Sequence, residues 1–124
     1  VTTRPAVLKT RSNELVKALT VGSKEVIVKL YDNGEIDDDT ISVYFDNKLV
    51  LSSKKLTATP LTITLNLEDD NANHELIMVA ENLGRIPPNT SLMVVESGGQ
   101  RFDVRITSTE QKNAMVRFRY QKPQ

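Results

Sequence analysis

From Glu14 to Tyr120 the apolar residues recur at every second position, in short runs bounded by Gly, Pro, Asn or Asp. Only an extended strand turns alternate side chains to one face, so this period selects β structure. The runs are ELVKALTV (14–21), EVIVKLY (25–31), ISVYF (41–45), LVLS (49–52), LTITLNL (61–67), ELIMVA (75–80), LMVVES (92–97), RFDVRIT (101–107) and AMVRFRY (114–120). Eight or nine short strands at this spacing predict an all-β domain, a single antiparallel β-sandwich of immunoglobulin-like or jelly-roll-like type. Val26, Val28 and Leu30, then Leu61, Ile63, Leu65 and Leu67, then Phe102, Val104 and Ile106 are the expected core sets. ELIMVA and LMVVES are apolar on both faces, which predicts central strands covered on both sides or a face that docks on another domain.

A chain of 124 residues supports one core, not two. Residues 1–12 are polar and contain Pro5, as in an arm or linker; 13–120 carry the sandwich pattern, and 121–124 form a short polar tail. The chain opens at Val1, and VTTRPAVLKTRSN has no apolar signal-peptide region, so a processed or trimmed domain is expected. Gly22-Ser23, Asp46-Asn47-Lys48 and Gly98-Gly99 suit hairpin turns, whereas Pro60 and Pro87-Pro88 stop strands. TSTEQKNA holds at most a turn of helix.

Each antiparallel strand that crosses the domain reverses the end at which the next loop lies. Counted in this way, Tyr31 to Thr40, Ser53 to Pro60, Glu81 to Ser91 and Ser108 to Asn113 fall at one end. Asp46 to Lys48, Glu68 to His74 and Ser97 to Gln100 fall at the other. The first end holds YDNGEIDDDT, in which Asp32, Glu35, Asp37, Asp38 and Asp39 lie within eight positions. Like charges so close repel unless a cation or basic side chains neutralise them, and hard oxygen ligands on a loop suit Ca²⁺. The pattern is not an EF-hand, because Asp37 stands where that loop requires Gly and no Glu occupies the twelfth position. Asp32, Asp37 and Asp39 are the leading ligands for calcium, with Glu35, Asp38, Glu81 and Asn82 in support and Asn113 nearby. The competing reading is a turn at Asp32-Asn33-Gly34, with the later aspartates capping backbone donors. The second acidic stretch, Asp69 to Asn73, reads as a solvated loop.

Arg101, Asp103 and Arg105, then Arg117 and Arg119, occupy outward positions of the last two runs, which allows four arginines on one exposed face. Such a face would hold a phosphate, a sulfated sugar or an acidic partner; alternatively it is a solvated edge protected by charge. Phe45, Phe102 and Phe118 fall at core parity, leaving Tyr31 and Tyr44 to flank the acidic loop as ligand contacts beside Arg101, Arg105, Arg117 and Arg119. Balanced charge, Lys+Arg 16 against Asp+Glu 16, provides no field to steer nucleic acid, and no run is apolar enough for membrane insertion. Zero Cys removes thiol nucleophiles, and one His, His74, removes multi-His metal sites. His74 lies on a polar stretch without a nucleophile motif and reads as a surface residue, so the chain is expected not to be an enzyme.

VKLYDNGEIDDDTISVYFDNKLV, HELIMVAENLGRIPPNT and STEQKNAMVRF, taken in order, resemble an uncharacterised accessory domain that recurs in exported proteins of Bacteroidota. The resemblance spans Asn13 to Phe118 and implies an extracytoplasmic β-sandwich, secreted, periplasmic or at the cell surface, attached to other modules. Relatives of this kind are expected to carry Gly where this chain has Asp38. The combined expectation is a non-catalytic, calcium-stabilised module that binds a glycan or cell-surface component. The alternative is a structural spacer that contacts only neighbouring domains of a larger protein and binds no metal.

Overall fold

The computed structural model describes residues 5–32, 39–68, 73–81, 89–109 and 111–122. After a short helix, α1 (Ala6–Thr10), come β1 (Ser12–Val21), β2 (Glu25–Tyr31), β3 (Thr40–Phe45), β4 (Lys48–Lys55) and β5 (Leu61–Asn66). They are followed by β6 (Asn73–Ala80), β7 (Asn89–Ser97), β8 (Gln100–Ser108) and β9 (Lys112–Tyr120). The predicted runs each lie on one of these strands, LTITLNL running one residue beyond β5. Two sheets form, one of five strands in the order β1-β9-β6-β3-β4 and one of four in the order β5-β2-β7-β8. All neighbours are antiparallel except β1, which runs parallel to β9.

β2 pairs with β5 in one sheet while β3, β6 and β9 stand side by side in the other, which is the pairing of an immunoglobulin-type sandwich. The β7–β8 hairpin is added to the free side of β2. Alternation places the inner faces: Val26, Val28, Leu30, Ile63, Leu65, Met93, Val95, Val104 and Ile106 from one sheet join Leu76, Met78, Val116 and Phe118 from the other in one cluster. Leu61 and Phe102, both expected inside, are partly buried against it.

The doubly apolar run of β6 is explained by α1. Ile77 and Val79 point away from the main core, where Leu8 and Val7 cover them together with Met115 and Tyr44. A sequence reading of this segment gives only a polar arm. One turn of helix with a single buried leucine has too few repeats to show a period.

Two-residue turns join β3 to β4 and β7 to β8. Asp46 and Asn47 have φ of 48° and 68°, and Gly98 and Gly99 have 55° and 79°, as hairpins with right-handed twist require. The expectation at Gly22-Ser23 is corrected: β1 and β2 belong to different sheets, so this connection crosses the sandwich. It is held by a hydrogen bond from Gly22 N–H to Gln100 Oε1 at 3.1 Å and by Ser97 Oγ, which donates to the Glu25 carbonyl at 2.7 Å.

A methyl group at Gly98 would lie 3.1 Å from Ser23 Cβ, whereas at Gly99 it would meet open space. Both positions have left-handed backbone, which costs an ordinary residue about 1–2 kcal/mol. Gly98→Ala is therefore expected to lower urea-unfolding stability by more than Gly99→Ala. Equal losses would show that Ser23 yields without cost.

Candidate functional site

The strand count places four loops at one end, and their described parts meet there. Asp32 N–H donates to the Thr57 carbonyl at 2.9 Å, Leu56 N–H to the Asp39 carbonyl at 2.8 Å, and Glu81 N–H to the Thr40 carbonyl at 2.8 Å. Arg11 Nη1 donates to the Ala80 carbonyl at 2.8 Å and reaches the Thr109 carbonyl at 3.5 Å. Thr109 Oγ1 accepts from the backbone of Gln111 and Lys112, both at 3.1 Å, which closes the β8–β9 connection.

Asp32 and Asp39 are buried at the two stems of the acidic loop, and Glu81 is exposed beside them. Glu35, Asp37, Asp38 and Asn82 lie outside the described residues. Among the described residues no three His, Asp or Glu side chains gather as metal ligands do. Asn113 is corrected: it is fully buried and its Nδ2 donates to the Val7 carbonyl at 3.2 Å and to Asn13 Oδ1 at 2.9 Å, so its amide serves α1 and β1.

The four arginines do not share a face. β8 and β9 are consecutive but lie in different sheets, so Arg101 and Arg105 occupy the outside of the four-stranded sheet and Arg117 and Arg119 the outside of the five-stranded one. Alternation within a run gives parity; it does not give sheet membership. Tyr44 is likewise separated from Tyr31, since it packs against the α1-covered cluster on the far sheet.

Tyr31, Arg101 and Arg105 remain together. Cross-strand register sets Tyr31, Leu92 and Arg105 in one row, and Ile27, Glu96 and Arg101 in another. Lys29 Nζ lies 2.9 Å from Glu96 Oε1, and Arg101 Nε lies 3.1 Å from Asp103 Oδ1. The hydrogen bond from Lys29, reinforced by its charge, holds the Glu96 carboxyl below its ordinary range; the hydrogen bond to Asp103 raises the Arg101 guanidinium further. Both pairs are well exposed, so their main effect is to orient side chains.

At the opposite end the structure corrects the reading of His74. It is buried, because it shares the inward parity of Leu76 and Met78 on β6, a signal already present in HELIM. Its ring stacks on Phe45 with centroids 5.7 Å apart, and Nδ1 lies 2.6 Å from Asp46 Oδ2. Asp46 Oδ1 accepts from Glu75 N–H at 2.9 Å, so one carboxylate ties the β3–β4 turn to β6. Among the described residues Nε2 is buried without a hydrogen-bond partner. A cleft of about 270 Å³ lined by Phe45, Asp46, Lys48, Asn66, Glu68 and His74 opens beside the pair, and two others of about 340 and 300 Å³ flank Gly98. With Nε2 sealed from solvent, the pair in this arrangement acts as a clamp.

No family model, curated protein or solved structure matches the chain.

Asp46→Ala removes the partner of both His74 Nδ1 and Glu75 N–H, and urea unfolding is expected to show a loss of about 1–3 kcal/mol. Asp46→Asn, which keeps an acceptor for Glu75, is expected to lose less. For Glu96 the lowered folded value means that its stabilisation is present above the ordinary carboxylate range and disappears as pH falls through that lowered value. An NMR titration should place the Glu96 midpoint below 4.5, and Lys29→Met should move it upward; an unmoved midpoint would remove Lys29 as the cause.

Proposed function

We propose that this domain is a non-catalytic binding module of an exported bacterial protein, with calcium ordering the acidic loop and a glycan or cell-surface component as ligand. The observation that carries the reading is the convergence of loops at one end. Buried Asp32 and Asp39 stand at the base of a loop rich in carboxylates, and the outward row of half-buried Tyr31 and Leu92 and exposed Arg105 ends beside it. Oxygen donors at paired loop stems suit a hard cation, and an aromatic ring in one row with an arginine, across Leu92, suits a sugar bearing an anionic group. Arg105 makes no hydrogen bond or ion pair among the described residues, whereas Arg101 on the same strand is engaged by Asp103.

The competing function is a structural spacer joined to neighbouring domains. It is supported by the internal pairing of Lys29 with Glu96 and of Arg101 with Asp103, which satisfies much of the charge on this face within the domain.

Thermal unfolding with calcium and with excess chelator separates the two. A cation that binds only the folded state at a hundred times its dissociation constant stabilises by about 2.7 kcal/mol, so the melting temperature should rise on the order of 5–10 °C and return on chelation. Asp39→Asn should abolish the rise. An unchanged melting temperature would favour the spacer, and a glycan array with and without calcium then tests the ligand directly.

A further inference from the structure

We propose that Pro5–Leu15 is a strap that opens independently of the sandwich and uncovers an apolar strip on the outside of the five-stranded sheet.

The main core and the strap do not share a hydrophobic cluster. From β1 the core takes Leu19 and Val21, with Val16 partly buried against it; the strap contributes Leu8 and Val7 to the separate group of Ile77, Val79, Met115 and Tyr44. The break between the two lies in β1 itself, where the parallel ladder with β9 shifts register between Leu15 and Lys17. A bulge leaves one residue out of the ladder and bends the strand, so it is a natural hinge. On the strap side of this hinge β1 buries almost nothing: Ser12 and Glu14 are exposed and Leu15 is 44% exposed.

Closure therefore rests on Leu8 with partly buried Val7, on four ladder positions opposite Lys112 to Met115, on the exposed Glu14–Lys112 ion pair at 3.4 Å, and on an amide network. In that network Asn13 Nδ2 donates to the Leu8 carbonyl at 2.8 Å, and Asn113 Nδ2 reaches Val7 and Asn13. Arg11 adds its bond to Ala80. One feature of the network opposes closure. Among the described residues Asn113 Oδ1 is buried with no hydrogen-bond partner, and opening would return that acceptor to water. The closed strap is thus held by few contacts and carries a desolvation penalty that its release relieves, which are the properties of a unit that opens below the global unfolding free energy.

What opening uncovers is continuous. Register sets Met115, Ile77, Tyr44 and Leu49 in one row across β9, β6, β3 and β4, and the strap, whose Leu15 extends the row onto β1 when closed, covers Met115, Ile77 and Tyr44. Leu49, at the far end of the row, is exposed already in the closed form. The occupant of the strip is the chain's own Val7-Leu8 segment, and its departure joins exposed Leu49 to Tyr44, Ile77 and Met115 in one uninterrupted row.

Native-state hydrogen exchange on the whole chain tests this. The amides of Leu8 and of Ser12 to Leu15 should exchange at least tenfold faster than those of Leu19, Val21, Val28 and Met78. Leu8→Ala should accelerate the strap amides a further tenfold or more and leave the other four unchanged. Exchange of the strap in step with Leu19 and Val21, or equal acceleration of all amides by Leu8→Ala, would overturn the proposal. A second variant closes the hinge covalently: Asn13 and Asn113 are register partners in a chain without cysteine, so Asn13→Cys with Asn113→Cys can form a single disulfide. Oxidation should slow the strap amides to the rate of Leu19, and reduction should restore them. Strap exchange that ignores the cross-link would equally overturn the idea.

Discussion

The burial of alternate side chains between the two sheets positions every other group in this protein. Val26, Val28 and Leu30 of β2 are inaccessible to solvent, as are Val43 of β3 and Phe118 of β9. Each such apolar side chain contributes roughly 1.5–3 kcal/mol on burial, so a one-residue slip that exposed a whole strand's set would cost a large part of the roughly 5–15 kcal/mol that keeps a domain folded. Because inward residues are fixed, outward ones are fixed too. Lys29 must stand beside Glu96, and Tyr31 in the same row as Arg105, as a by-product of the core register. The exposed chemistry is imposed by residues that never meet solvent.

That dependence explains what the sequence made legible and what it hid. Period-two alternation is a property of a single strand, so the nine strands and the core sets of β2, β5 and β8 could be read from it. Loop ends could be read too, because reversal of direction depends only on counting crossings. Sheet membership could not, since it depends on which long-range pairs close. Arg101 and Arg117 look alike in parity and lie on opposite faces. His74 was legible in principle: it is two residues before Leu76 on the same strand, but its polar neighbours Asn71 and Asn73 outweighed its parity. For the acidic loop the sequence supplies donors and the fold supplies two anchored stems at Asp32 and Asp39.

The zero formal charge is an average over features that do not cancel locally. Acidic residues concentrate from Asp32 to Asp39, between β2 of one sheet and β3 of the other, while Arg117 and Arg119 stand on the outside of the five-stranded sheet, opposite Glu75 and Asn73 and toward the other end of the sandwich. With a Debye length of about 8 Å at physiological ionic strength, groups at opposite ends of a sandwich scarcely sense one another. Each end must therefore be read by its own charges.

Buried polar groups mark both ends of the five-stranded sheet, and they do comparable work. At one end Asp46 joins a left-handed turn to β6 through His74 and Glu75; at the other Asn113 joins β9 to Val7 and Asn13. Each set leaves one buried atom unsatisfied, His74 Nε2 or Asn113 Oδ1, so neither is an efficient source of stability compared with well-packed apolar groups. What a polar group offers instead is discrimination, because an amide or carboxylate accepts few alternative geometries while an apolar contact accepts many. The hydrophobic stripe under α1 could receive an apolar segment in several registers. Asn113 reads two specific backbone and side-chain groups and accepts one. Similarly, Phe45 alone could slide over β6, and the two oxygens of Asp46 prevent it. The apolar core thus decides that a sandwich forms, and a few incompletely satisfied polar groups decide where its turn and its terminal arm attach.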